Sequence, residues 1–191
     1  MMDAMQAEAV LDELWRPGER GARVDVYAIL DAARDRRIHP WIRQRALDYT
    51  CLFAGKLAPE LAAAAPYLVH LYRRERFTRE LLELGWGGSW GIFVAAPATM
   101  EELRLHFRRF LRVSDPRGRK LLFRYYDPRV LRVYLPTCTA EELATVFGPV
   151  DRLFAESEDG AALLAYRRAA GRLETEPLPL ATLAGIAGDR G

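Results

Sequence analysis

Phe123-Arg-Tyr-Tyr-Asp-Pro-Arg-Val-Leu131 is the stretch whose reading decides the fold. The apolar run from Leu121 to Tyr126 reads as a buried strand. Asp127 and Pro128 then start a helix, because the carboxylate accepts orphan N–H bonds of the first turn while proline pre-sets φ at the first helical position. Upstream, Gly91-Ile-Phe-Val-Ala-Ala96 reads as another buried strand, ended by Pro97. Thr99-Met-Glu-Glu102 is a capping box for an amphipathic helix with Met100, Leu103, Phe107, Phe110 and Leu111 on one face. From Trp90 to Leu135 the expected order is strand, helix, strand, helix. Asp127 is the only acid in its arginine cluster, and neighbouring cations lower a carboxyl pKa. Arg124, Asp127, Pro128 and Arg129 are therefore read as an ion-paired helix cap, a structural motif unsuited to general-acid work.

At 191 residues the chain can bury roughly 70% of its unfolded surface, and 50% hydrophobic with 28% charged residues is a globular composition. Cys51 and Cys138 lie far apart with no C-x-x-C spacing, which excludes a zinc ribbon and suggests no disulfide framework. No apolar run reaches 18 residues, and the first residues lack a basic n-region and an apolar h-region. The expectation is a cytoplasmic protein without a membrane partner. The net charge of +2 is unevenly spread: Arg104 to Arg132 holds ten Lys or Arg against two Asp, and Glu141 to Asp159 holds six acids against one Arg.

Outward from the central segment, Asp3 caps a helix from about Ala4 to Trp15, and residues up to 23 form a linker. Val24 to Leu30 reads as a strand, His39-Pro40 opens a helix, and Tyr49 to Phe53 is a short strand. Pro59 starts a short helix, Tyr67 to Tyr72 is a strand, and Thr78 caps a helix ending at Gly85. Beyond the centre, Thr139-Ala-Glu-Glu142 caps a helix closed by Gly148-Pro149, and Val150 to Phe154 with Ala161 to Tyr166 forms a hairpin. The sheet is expected to stop there. Residues 171–191 read as a Pro-containing, weakly ordered tail whose Leu178, Leu180, Leu183 and Ile186 either dock back onto the sheet or meet another protein. The expected whole is an α/β protein, a mixed β-sheet flanked by α-helices, with its main domain over residues 24–170.

Catalytic constellations are absent at any recognised spacing: there is no G-x-S-x-G, no H-E-x-x-H and no H-x-E with C-x-x-C. His70 lies in an apolar run and reads as a core histidine, and His106 lies on an Arg-rich helix face. Gly85-Trp-Gly-Gly-Ser-Trp-Gly91 lacks G-x-G-x-x-G spacing and precedes a strand, whereas a phosphate cradle follows a strand and opens a helix. It reads as a turn between aromatics. No cofactor or metal is expected. Candidate partner-binding residues are Arg104, Arg108 and Arg112, which recur every four residues away from the helix's apolar side, with Trp86, Trp90, Leu178 and Leu180.

The residues resemble the type VI secretion effector-adaptor (effector chaperone) family, the Tap/Tec-like adaptors. The resemblance rests on Val26-Tyr-Ala-Ile-Leu-Asp31, Cys51-Leu-Phe-Ala-Gly55 with Ala65-Pro-Tyr-Leu-Val69, and Trp90-Gly-Ile-Phe-Val94 leading into Leu103 to Leu111. It continues through Leu122-Phe-Arg-Tyr-Tyr-Asp-Pro-Arg-Val-Leu131 and Phe147-Gly-Pro-Val150, so that residues 24 to 155 follow the family's order. The resemblance implies a cytoplasmic, non-enzymatic adaptor that binds a secreted toxin effector and helps load it onto the VgrG spike. Compared with that family the chain is short, so a large C-terminal effector-binding lobe is expected to be reduced. Such an adaptor works by surface complementarity, through an apolar patch with an Arg-rich surround. Two other classes fit less well: a nucleic-acid-binding module using residues 104–132, and an enzyme whose site carries no recognised motif.

Overall fold

The computed structural model describes residues 2–18, 21–114 and 117–182; Leu183 and Ile186 of the expected tail lie outside them. The chain runs through α1 (Ala4–Leu14), β1 (Asp25–Asp31), α2 (Ile38–Arg45), β2 (Asp48–Cys51), α3 (Pro59–Ala63) and β3 (Pro66–Leu71). It continues through α4 (Arg76–Gly85), β4 (Gly91–Ala96), α5 (Met100–Arg108), β5 (Arg112–Ser114), β6 (Lys120–Leu122) and α6 (Pro128–Tyr134). A 3₁₀ turn (Leu135–Thr137), α7 (Ala140–Phe147), β7 (Arg152–Glu156), β8 (Ala162–Ala169) and β9 (Arg172–Pro179) complete it. Seven strands form one sheet in the order β2-β3-β1-β4-β7-β8-β9, while β5 and β6 pair separately. The α/β architecture is as expected, and all pairings are antiparallel.

Helices cover both faces of the sheet, so residues 26–30 of β1 and all of β4 are apolar. On β1, Val26, Ala28 and Leu30 enter one core, built with Leu11 and Leu14 of α1, Ile38 and Ile42 of α2, and Phe77 and Leu81 of α4. The intervening Tyr27 and Ile29 enter a second core with Leu103 and Phe107 of α5, Leu131 of α6, and Leu143 and Phe147 of α7. This is the two-residue period of a strand, and it leaves β1 no solvent face. Three helices begin with the reciprocal capping box, at Asp3 with Gln6, Thr99 with Glu102, and Thr139 with Glu142.

The structure corrects three local expectations. Leu121 to Tyr126 is not one buried strand. Lys120–Leu122 pairs only with β5, leaving Leu121 and Leu122 47% and 50% exposed, and a turn then delivers Tyr125 and Tyr126 into the second core. Apolar content alone did not separate a strand from a turn that buries two rings. Thr78 is not a cap: α4 starts earlier, with Glu75 at its N-cap, and Thr78 is buried within it. Phe77 stacks on Trp41 with ring centroids 4.1 Å apart, which draws the first turn of α4 back into the core.

The third correction is larger, because the sheet does not end at Tyr166. Ala170 and Gly171 both take positive φ, giving the two-residue turn that suits a tight hairpin, and Arg172–Pro179 returns along β8 as an edge strand. Leu180 N–H donates to the Ala161 carbonyl, so strand alternation puts the missing donors of Pro177 and Pro179 on the side facing away from β8. Leu178 is half-buried and Leu180 buried against the first core. The two leucines dock back on their own sheet.

Gly91 gives a test of the β1–β4 junction. A Cβ there would stand 2.0 Å from the Ile29 carbonyl oxygen, a backbone atom that cannot move without opening the sheet. Gly91→Ala is expected to cost about 3 kcal/mol or more, read as a lowered urea midpoint, or to abolish cooperative unfolding.

Candidate functional site

The Arg-Asp-Pro-Arg element folds as a cap, with its two arginines on different acids. Asp127 has extended backbone ahead of α6 and accepts the Arg129 N–H at 3.0 Å. Its carboxylate also receives the Arg129 guanidinium, Nε at 2.9 Å and NH2 at 2.6 Å. Arg124 instead reaches Asp31, the buried last residue of β1, and ties the turn before α6 to the sheet. Burial alone would raise the Asp127 pKa, but the Arg129 hydrogen bonds and the charges of Arg129 and Arg124 outweigh it and hold it below the ordinary value. The group is structural.

Asp127→Ala is expected to cost about 1–2 kcal/mol through the lost cap. A folded pKa below the unfolded one gives stability that is present above the unfolded value, near 4, and lost as pH falls through the folded value. The gap in melting temperature between wild type and Asp127→Asn should therefore narrow below about pH 4. A gap independent of pH would show that the charge contributes nothing.

The glycine-rich loop forms an anion nest that is already occupied from within the chain. The Gly87 and Ser89 N–H groups donate to the Glu156 carboxylate at 2.6 and 2.8 Å, and the Ser89 hydroxyl adds a bond at 3.2 Å. Trp86 Nε1 donates to the Gly160 carbonyl at 2.7 Å, and Trp90 is buried with Trp41 against its edge. Of the candidate partner-binding residues, Trp86 therefore ties the loop to the turn between β7 and β8, and Trp90, packed against Trp41, offers no exposed face.

Packing and hydrogen bonding account for the histidines. His39 stacks on Tyr67, and His70 stacks on Tyr27 at 4.6 Å with Tyr72 on its other contact. His106 is not on an exposed face: it is buried, its Nε2 donating to the Val146 carbonyl at 2.8 Å, its ring against Gly148. Burial lowers the His106 pKa, the hydrogen bond to Val146 opposes this, and the Arg109 charge reinforces it. The unfolded chain thus binds this proton more readily, so stability should fall as pH drops below about 6.5, the unfolded value. His106→Gln should flatten that part of the melting curve; an unchanged pH slope would exclude His106 as its source.

One groove combines exposed apolar side chains with cations. One side is supplied by Leu52, Phe53, Leu57 and Leu61, between β2 and α3, and the other by Leu111, Leu121 and Leu122 around the β5–β6 hairpin. Arg108, Arg112 and Lys120 also line it, and no acid does. Its volume is about 540 Å³. Leu61, Leu121 and Leu122 are each about half exposed, at 48%, 47% and 50%. Among the described residues, no ion pair engages Arg108, Arg112 or Lys120. Two of the three periodic arginines thus meet at the groove, although α5 stops at Arg108 and Arg112 belongs to β5. Arg104 pairs instead with Glu101 at 2.6 Å. Sequence reasoning missed the apolar walls; the available signal was Leu121-Leu122 following Lys120, which had been read as core.

A larger hollow of about 720 Å³ is polar and internally balanced. Its buried Arg152 is held by Asp151, Glu13 and the Arg16 carbonyl, and Arg167 pairs with Glu174. Among the described residues, no cluster of His, Cys, Asp and Glu suits a metal ion, and no helix is long and apolar enough to cross a membrane.

An antiparallel sheet between two helical layers, with an apolar, cation-lined groove at one side, defines an α/β domain. The chain belongs to the family described as a domain of unknown function, DUF4123, whose model matches residues 26–145, from β1 into α7. That family is associated with type VI secretion effectors. No match is found among curated proteins or among solved structures.

Proposed function

We propose that this protein is a cytoplasmic, non-enzymatic adaptor that binds a type VI secretion effector and assists its loading onto the VgrG spike. The observation that carries the reading is the groove: every residue lining it falls inside the family-matched segment, and it is the kind of surface a folded protein keeps for another protein. Half-exposed leucines beside cations without ion-pair partners suit an interface whose centre is apolar and whose margin is charged.

A nucleic-acid-binding role for residues 104–132 draws less support. Arg104, Arg124 and Arg129 are engaged by Glu101, Asp31 and Asp127, and Arg132 donates to the Glu156 carbonyl at 2.8 Å, so the basic stretch does not form one continuous free stripe.

Co-expression with the effector encoded beside it should give a complex that survives size exclusion at physiological salt and an effector more soluble than when made alone. The association rate should fall as salt rises while the dissociation rate changes little. Failure to bind any neighbouring gene product, together with salt-sensitive binding to random DNA, would replace the adaptor reading with the nucleic-acid one.

A further inference from the structure

Resting on the adaptor reading, we propose that the groove between the β2–α3 loop and the β5–β6 hairpin is the cargo dock. Its occupant is an acidic amphipathic helix of the partner, with leucine-like side chains along one stripe and Asp or Glu beside it.

The apolar part of the argument comes from what the groove leaves unburied. Leu61, Leu121 and Leu122 stand half exposed on opposite walls, so a single apolar stripe entering between them buries side chains from both sides at once. A helix suits such a lining because it satisfies its own backbone hydrogen bonds. An extended segment laid on leucine side chains would leave amide groups unpaired away from water. Helix-in-groove binding reads anchors at i, i+3 or i+4, and i+7, and a 540 Å³ trough holds a few such side chains.

The charge of the occupant follows from the cations. Arg108, Arg112 and Lys120 share the groove with no carboxylate in its lining. Several other arginines have carboxylate partners: Arg37 holds Asp35, Arg73 holds Glu8 and Asp12, and Arg129 holds Asp127. The groove's three cations face no acid in its lining, so its complement is a set of carboxylates carried by the partner; a neutral or basic helix would leave three cations partly desolvated and unpaired. A nucleic-acid occupant is disfavoured because the walls are leucines, which cannot serve as base-stacking platforms.

The test is hydrogen-exchange mapping of the complex with the co-expressed neighbouring effector, joined to affinity measurements on surface variants. Protection is expected at residues 52–61, 111–114 and 120–122 of this chain and over one acidic helical segment of the effector. Leu122→Asp should weaken binding at least tenfold while melting as wild type does, since Leu122 is half exposed. Arg108→Glu with Arg112→Glu should weaken it at least tenfold, and changing the acids of the protected effector segment to Lys should restore most of the loss. A stable complex protected elsewhere, and indifferent to Leu122→Asp, overturns the dock while leaving the adaptor reading intact. Protection of the groove by a segment insensitive to the charge reversal overturns the acidic occupant. Displacement of the effector from the groove by random DNA overturns the protein occupant. Absence of any complex overturns the adaptor reading, and the dock with it.

Discussion

Burial of β1 on both faces is the constraint from which the rest of the structure follows. A strand with no solvent side needs a strand on each edge and a helical layer on each face, and β3, β4 and the two cores supply them. The same demand explains why Gly91 lies where it does, against the Ile29 carbonyl, since no larger residue admits β4 at that distance. It explains Asp31 too. A buried carboxylate at the end of a buried strand requires a cation, and Arg124 brings one, together with the turn that places Tyr125 and Tyr126 in the second core.

The elements most legible in the sequence were those with a local chemical signature. The capping boxes at Thr99 and Thr139, the Asp3 cap and the Asp127-Pro128 helix start were readable because a side chain and a backbone donor three residues or fewer apart settle the matter between themselves. Thr78 carried the same type of signature and misled, because the burial of Phe77 against Trp41 outweighed a cap on a helix start three residues later. β9 was hidden by its prolines, which argue against a strand unless the side each N–H would face is known, and that depends on a partner strand distant in the folded topology only by one tight turn. The groove was less legible still. Its walls come from two segments some fifty residues apart that no periodicity connects, and Leu121 and Leu122 look, in sequence, the same as residues bound for the core.

Charge is handled in the same way in several places. The nest formed by Gly87 and Ser89 has the donor arrangement of a ligand-binding loop, but Glu156 of the same chain fills it. Arg152 lies buried between Asp151, Glu13 and a backbone carbonyl, fastening α1 and the chain after it to β7. These matched sites contrast with the groove, whose lining holds Arg108, Arg112 and Lys120 and no acid.

The prolines of β9 bear on how copies of this protein behave when crowded. A free sheet margin is normally a template on which another molecule's strand can lengthen the ladder. Here the outer margin of β9 lacks donors at Pro177 and Pro179 and carries the charges of Arg172, Glu174 and Glu176, while the opposite margin, β2, is four residues long. Neither margin offers a neighbour a long unbroken run of amide donors, so edge-to-edge pairing of sheets is disfavoured at both ends even though the leucine trough is exposed.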